Sequence, residues 1–143
     1  MIAQVSAAIR SAMMDAPSIA DELAIWQDEP AIFTRRPVPA EVGYPMSIIN
    51  PPAAVGDEDG LTSDRPVWVG DVAFYGEQPK HLRQVDRAAS AARLLFHRQK
   101  FSVQPDGFSV IDITVAGPIP APVDDDMTVG RLVTLTIRLR RTS

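Results

Sequence analysis

The clearest periodic signal in the chain lies between residues 79 and 98. Leu82, Val85, Ala89, Ala92 and Phe96 recur at spacings of three and four, so a helix gathers them into one apolar stripe. Pro79 suits its first position. Lys80, Arg83, Arg87 and Arg98 fall on the opposite face, with Leu94 among them. A second helix is read over residues 2–14, where Ile2, Val5, Ile9, Ala12 and Met13 share a face and Asp15 and Pro17 punctuate the end. A short helical turn over 17–23 follows, with Ile19 and Leu23 facing inward.

Strand patterns fill the rest. Residues 65–75 alternate Val67, Val69 and Ala73 with Trp68, Val72 and Phe74, and apolar side chains on both faces predict a central or doubly covered strand. Residues 131–140 place Val133, Leu135, Ile137 and Leu139 on one face and Arg131, Thr134, Thr136, Arg138 and Arg140 on the other, the mark of a half-buried antiparallel strand. Residues 108–115 carry Phe108, Val110, Ile111, Ile113 and Val115. Tyr44–Asn50 is a strand built on Met46, Ile48 and Ile49 and stopped by Pro51 and Pro52. Pro30 divides the apolar stretch 24–34 into one or two short edge strands. Two loops remain, 51–64 and 116–130; the second carries Pro118, Pro120 and Pro122 beside Asp124, Asp125 and Asp126. The expected architecture is one α+β domain spanning 1–143, a single, mostly antiparallel sheet with helices packed on one side.

Composition narrows this picture. Of 143 residues 45% are hydrophobic, which suffices for a core, but only 6% are aromatic, so that core rests on Ala, Val, Ile and Leu. The absence of cysteine excludes disulfides, thiolate metal sites and a cysteine nucleophile. Met1–Val5 lacks the basic start of a signal peptide, and no apolar run approaches the roughly 20 residues a membrane-spanning helix needs. The net charge of −4 is uneven: residues 1–79 sum to −8 and residues 80–143 to +4. If that split becomes one acidic and one basic surface, copies of the chain can pair head-to-tail, as closed rings require.

Chemistry-bearing motifs are missing. There is no phosphate-cradling glycine loop and no G-x-S-x-G elbow. His81 and His97 stand sixteen residues apart on the long helix, about 24 Å along its axis, so they cannot share a metal and are read as solvated helix-end side chains. Asp57-Glu58-Asp59-Gly60 begins like a calcium loop, but the position that should hold glutamate is Trp68. It is read, like Asp124-Asp125-Asp126, as a solvated acidic loop or an assembly contact. The basic helix face lacks interleaved aromatics, which argues against single-strand recognition. The expectation is a protein with no enzymatic activity, no cofactor and no metal.

The layout resembles the phage tail terminator (tail completion) proteins of siphophages and gene-transfer-agent-like particles. The likeness rests on the opening helix, break and second turn from Ile2 to Leu23, and on the proline-flanked strand Gly43–Ile49. It continues in Val67–Tyr75 leading into the Ala/Arg-rich Val85–Arg93, and in the closing G-R-x-V-x-L-x-I-R of Gly130–Arg138. It spans nearly the whole chain and brings no catalytic residues. It implies a homo-oligomeric ring, a hexamer, in the virion at the head-proximal end of the tail, assembled in a bacterial host's cytoplasm. The ring seats on the last tail-tube ring, ends tube polymerisation and meets the head-completion or neck proteins, while DNA passes through the lumen unread. Another head–tail connector and a small ligand-binding or enzymatic α+β domain are the alternatives. The residues expected at subunit or partner contacts are Arg83, Arg87, Leu94 and Arg98 on the basic side, and Asp57, Glu58, Asp59, Asp124, Asp125 and Asp126 on the acidic side. If no metal is required, dialysis against EDTA leaves the thermal melting curve unchanged; a large downward shift would restore an acidic-loop cation site.

Overall fold

The computed structural model describes residues 2–51 and 65–142. In chain order the elements are α1 (Ile2–Met14), α2 (Pro17–Ala20), β1 (Ile25–Trp26), β2 (Glu29–Pro30), β3 (Ile32–Phe33), β4 (Met46–Asn50), β5 (Val67–Glu77), α3 (Leu82–Phe96), β6 (Phe108–Pro120) and β7 (Thr128–Arg141). The main sheet has the order β3-β4-β5-β7-β6. Only the β3–β4 pair is parallel. The α+β reading therefore holds, with one addition: β1 and β2 form a separate two-stranded hairpin.

The α3 stripe behaves as its spacing predicts. Val85, Ala88, Ala89, Ala92 and Phe96 are fully buried against β5, β6 and β7, and Leu82 is half-buried at the near end. Small side chains along the middle of the stripe let the helix lie close to the sheet. β5 is central, as its two apolar faces suggested, and pairs with β7 over eleven positions from Val67↔Arg138 to Glu77↔Thr128. Trp68, Val72 and Phe74 join Val133, Leu135, Ile137 and Leu139 under the helices. α1 and α2 complete the same layer, contributing Val5, Ile9, Met13 and Ile19. The Trp68 indole N–H meets no acceptor among the described residues. Burying the ring is worth roughly 4–6 kcal/mol, which outweighs the ~1–3 kcal/mol cost of one unpaired donor.

Several boundaries differ from the sequence reading, each for a local reason. The long helix starts at Leu82 rather than Pro79. Glu77–His81 form a turn in which the His81 N–H donates to the Glu77 carbonyl at 2.8 Å and the Glu77 N–H donates to His81 Nδ1 at 3.0 Å. His97 closes the other end similarly, its Nδ1 accepting the Val115 N–H at 3.0 Å. The histidines are thus not solvated: His81 is buried, His97 half-buried, and both satisfy strand backbone. β5 runs on through Gly76 to Glu77 instead of ending there. The expected loop 116–130 is mostly strand. β6 continues to Pro120 and β7 begins at Thr128, leaving a connection of residues 121–127. Pro118 and Pro120 are tolerated because β6 is an edge strand, bulged between Ala116 and Ile119. Arg93 ties α3 to that bulge, donating to the Val115 and Gly117 carbonyls at 2.9 and 2.8 Å.

Where β4 meets β5 the sheet has no room for another carbon. A Cβ on Gly70 would lie 2.6 Å from the Asn50 carbonyl oxygen and 2.6 Å from Trp68. Two outcomes test this packing. Phe96→Ala should cost about 3–5 kcal/mol, and Gly70→Ala about 1–3 kcal/mol, both read from denaturant melts. An unchanged midpoint for Phe96→Ala would mean that α3 does not lie on the sheet as described.

Candidate functional site

Strand alternation gives the sheet two dissimilar faces. One lies beneath the helices. The other carries Met46, Ile48, Asn50, Val69, Asp71, Ala73, Tyr75, Leu132, Thr134 and Thr136, and among the described residues no helix packs on it. The 121–127 connection leans back over this outer face. Pro122, Val123, Asp124 and Asp125 line a groove of about 550 Å³ together with Met46, Ile48, Asn50, Asp71 and Leu132. Arg36 closes its far side, donating to the Asn50 side-chain oxygen at 3.2 Å and to the Tyr75 hydroxyl at 3.5 Å. Asp71 accepts the Thr134 hydroxyl at 2.8 Å. The groove mixes apolar side chains, among them Met46, Ile48, Val123 and Leu132, with three acids and one base.

Asp124, Asp125 and Asp126 are all exposed, and the Asp125 carboxylate accepts the Met127 N–H at 2.8 Å, which shapes the turn. Apolar side chains stand exposed beside them: Val123 at 40%, Ile119 at 52% and Met127 at 70%. Asp57, Glu58 and Asp59 lie outside the described residues. Among the described residues no three His, Asp or Glu side chains converge as metal ligands would.

The basic candidates lie on the opposite side of the molecule. Arg83, Arg87 and Leu94 are exposed along the solvent side of α3, Leu94 at 79%. Arg87 is engaged, pairing with Glu22 of the α2 region at 3.2 Å. Arg98 does not share the helix face. It follows the helix end with a positive φ of 61°, and its backbone N–H donates to the Ile113 carbonyl. Lys80 likewise precedes the helix, yet it still lines one shallow surface groove with Leu82, Arg83 and Arg87. The fold therefore brings Lys80, Arg83 and Arg87 together, places Leu94 farther along the same side of α3, and leaves Arg98 apart from them.

The groove residues Arg36, Tyr44, Met46, Tyr75 and Leu132 were absent from the sequence-based candidates. A signal for them existed, since β4 and β5 carry apolar residues on both faces. That pattern reads as double coverage until the helices are seen to lie on one side only.

No family model matches the chain, and no curated protein matches it in sequence. Solved structures do match. A chain from the virion of a native gene transfer agent (GTA) particle superposes with a TM-score of 0.74, covering 97% of this chain and 97% of that one at 12% identity. The two chains share one fold. A second solved structure superposes with a TM-score of 0.60, covering 99% of this chain and 96% of the other at 14% identity. Coverage above 95% on both sides means the likeness extends over the whole domain and not only a common sheet–helix core. No helix among the described residues is long and apolar enough to cross a membrane.

An exposed leucine between arginines is unremarkable in a monomer, but it fits an apolar anchor inside a charged rim. Leu94→Asp should leave the melting curve of the isolated chain unchanged and weaken self-association in analytical ultracentrifugation, because only assembly would bury the new charge. Equal sedimentation of variant and parent would remove this helix face from the candidates.

Proposed function

We propose that the protein is a non-enzymatic structural subunit of a phage-like or gene-transfer-agent-like virion. The observation that carries this reading is the full-length likeness in fold to a chain of the native GTA particle. The finer reading is the tail terminator role: a ring, a hexamer in the pattern of the family it resembles, that sits on the head-proximal end of the tail tube. Its partners are copies of itself, the tail tube protein and a head-completion or neck protein.

The physical requirement is modest. A growing tube presents the same interface at each step, so polymerisation stops when a ring binds that interface and offers a different surface beyond it. Such a subunit needs complementary lateral faces and two dissimilar axial ends, not an active site. The opposed groove and α3 faces supply candidate lateral surfaces. DNA passing through such a ring needs no base-reading groups, which agrees with a chain lacking recognition signatures.

The test is reconstitution. Tail tube protein is polymerised with and without the purified chain, and tube length and end structure are measured by electron microscopy. Shortened tubes, each with a disc of added density at one end, are expected. Tubes of unchanged length with bare ends would overturn the terminator role; density on purified head–neck particles instead would point to another connector.

A further inference from the structure

We infer that the acidic groove on the outer sheet face of one copy receives the α3 face of the next copy, making a heterologous lateral interface. This rests on the ring reading above and names the surfaces through which the ring closes.

The argument begins with what the sheet edges cannot do. A ring could close by strand pairing, but both edges are poor templates. β3 is only two residues long. β6 is longer, yet its pairing shifts between Val110 and Asp112 and again between Ala116 and Ile119, and Pro118 and Pro120 withhold two donors. Bulges and prolines of this kind blunt an edge against pairing with another chain. Faces are left.

Two faces are complementary, and they lie on opposite layers of the subunit. The groove rim has Asp71, Asp124 and Asp125 against Arg36. The α3 groove has Lys80, Arg83 and Arg87 against Asp86. The acidic groove therefore meets a basic one, in which Lys80 and Arg83 carry the docking charge because Arg87 is already paired with Glu22 of its own subunit. The single Asp86 is already held by Arg131 at 3.0 Å within its own subunit, so it opposes docking little. Among the described residues Lys80 and Arg83 are in no ion pair. Apolar groups match too. Leu94 lies on the same side of α3 as Arg83, eleven residues on and about 16 Å along the axis. It faces solvent with nothing to cover it, while Val123, Met46 and Leu132 line the other groove. Two unlike faces on opposite layers give a head-to-tail contact and not an isolated two-fold dimer; such a contact closes into a ring when the rotation from copy to copy closes and otherwise runs on as a filament.

Charge reversal separates this pairing from other contacts. One variant carries Lys80→Glu with Arg83→Glu, the other Asp124→Lys with Asp125→Lys. Asp124→Lys alone serves as a second groove variant that spares the Asp125 turn hydrogen bond. Each is checked by circular dichroism and melting, then by sedimentation velocity at 50–200 mM salt. Alone, each variant should lose the oligomer peak of the parent, because like charges then face each other. Mixed in equal amounts, the two should regain it, since in an alternating ring every acidic face meets a basic one. Variants that assemble alone as the parent does would overturn the pairing. So would folded variants whose mixture stays monomeric. If the parent caps tubes while the variants cap them equally well, the ring reading stands and this interface falls. A parent that remains monomeric and leaves tube ends bare would sink both.

Discussion

The contact on which the rest of the structure depends is α3 against the β5–β7 pair. Eleven paired positions make a long, continuous antiparallel ladder, and its helix-facing residues are large and apolar: Trp68, Val72 and Phe74 beside Val133, Leu135, Ile137 and Leu139. The helix answers with alanines at 88, 89 and 92 between Val85 and Phe96. Bulk on the sheet and smallness on the helix bring the two layers close, and close packing is what makes apolar burial effective. α1, α2 and the β1–β2 hairpin are added around that contact.

One helical layer lies on one side of a five-stranded sheet, and among the described residues no helix covers the other side. Natural sheets of this type place polar residues there. That face is mixed: Thr134, Thr136 and Asp71 are polar, Met46 and Leu132 are apolar and half-buried, and Ile48 and Ala73 are apolar and buried. The 121–127 connection covers part of it and supplies carboxylates at its rim. A surface half-covered by its own chain and edged mainly by acids is incomplete as a core and well suited to a partner.

The two histidines and Arg93 show how polar groups serve the scaffold. His81 and His97 bracket α3 and accept N–H groups from the strands on either side of the helix, and Arg93 anchors the bulge in β6. These contacts set where the helix begins, where it ends, and where the β6–β7 hairpin bends.

Period and alternation alone determined the helices at 2–14 and around 82–96, the central strand, the closing strand and the α+β class, because both signals arise from burying one face of a local element. The whole-chain layout also carried the resemblance to tail terminators. Neighbours in space were not legible in the same way. The strand character of 116–120 was hidden by Pro118 and Pro120, which the edge position of β6 tolerates. The histidines looked solvated because their strand partners lie 4 and 18 residues away. The charge split between 1–79 and 80–143 does not map onto surfaces: the acidic rim at Asp124 and Asp125 comes from the basic segment, and Glu22, from the acidic segment, is paired with Arg87. Which charges share a face is decided by sheet order and by the path of one connection. Both depend on contacts between residues far apart in sequence, so only the tertiary structure could decide them.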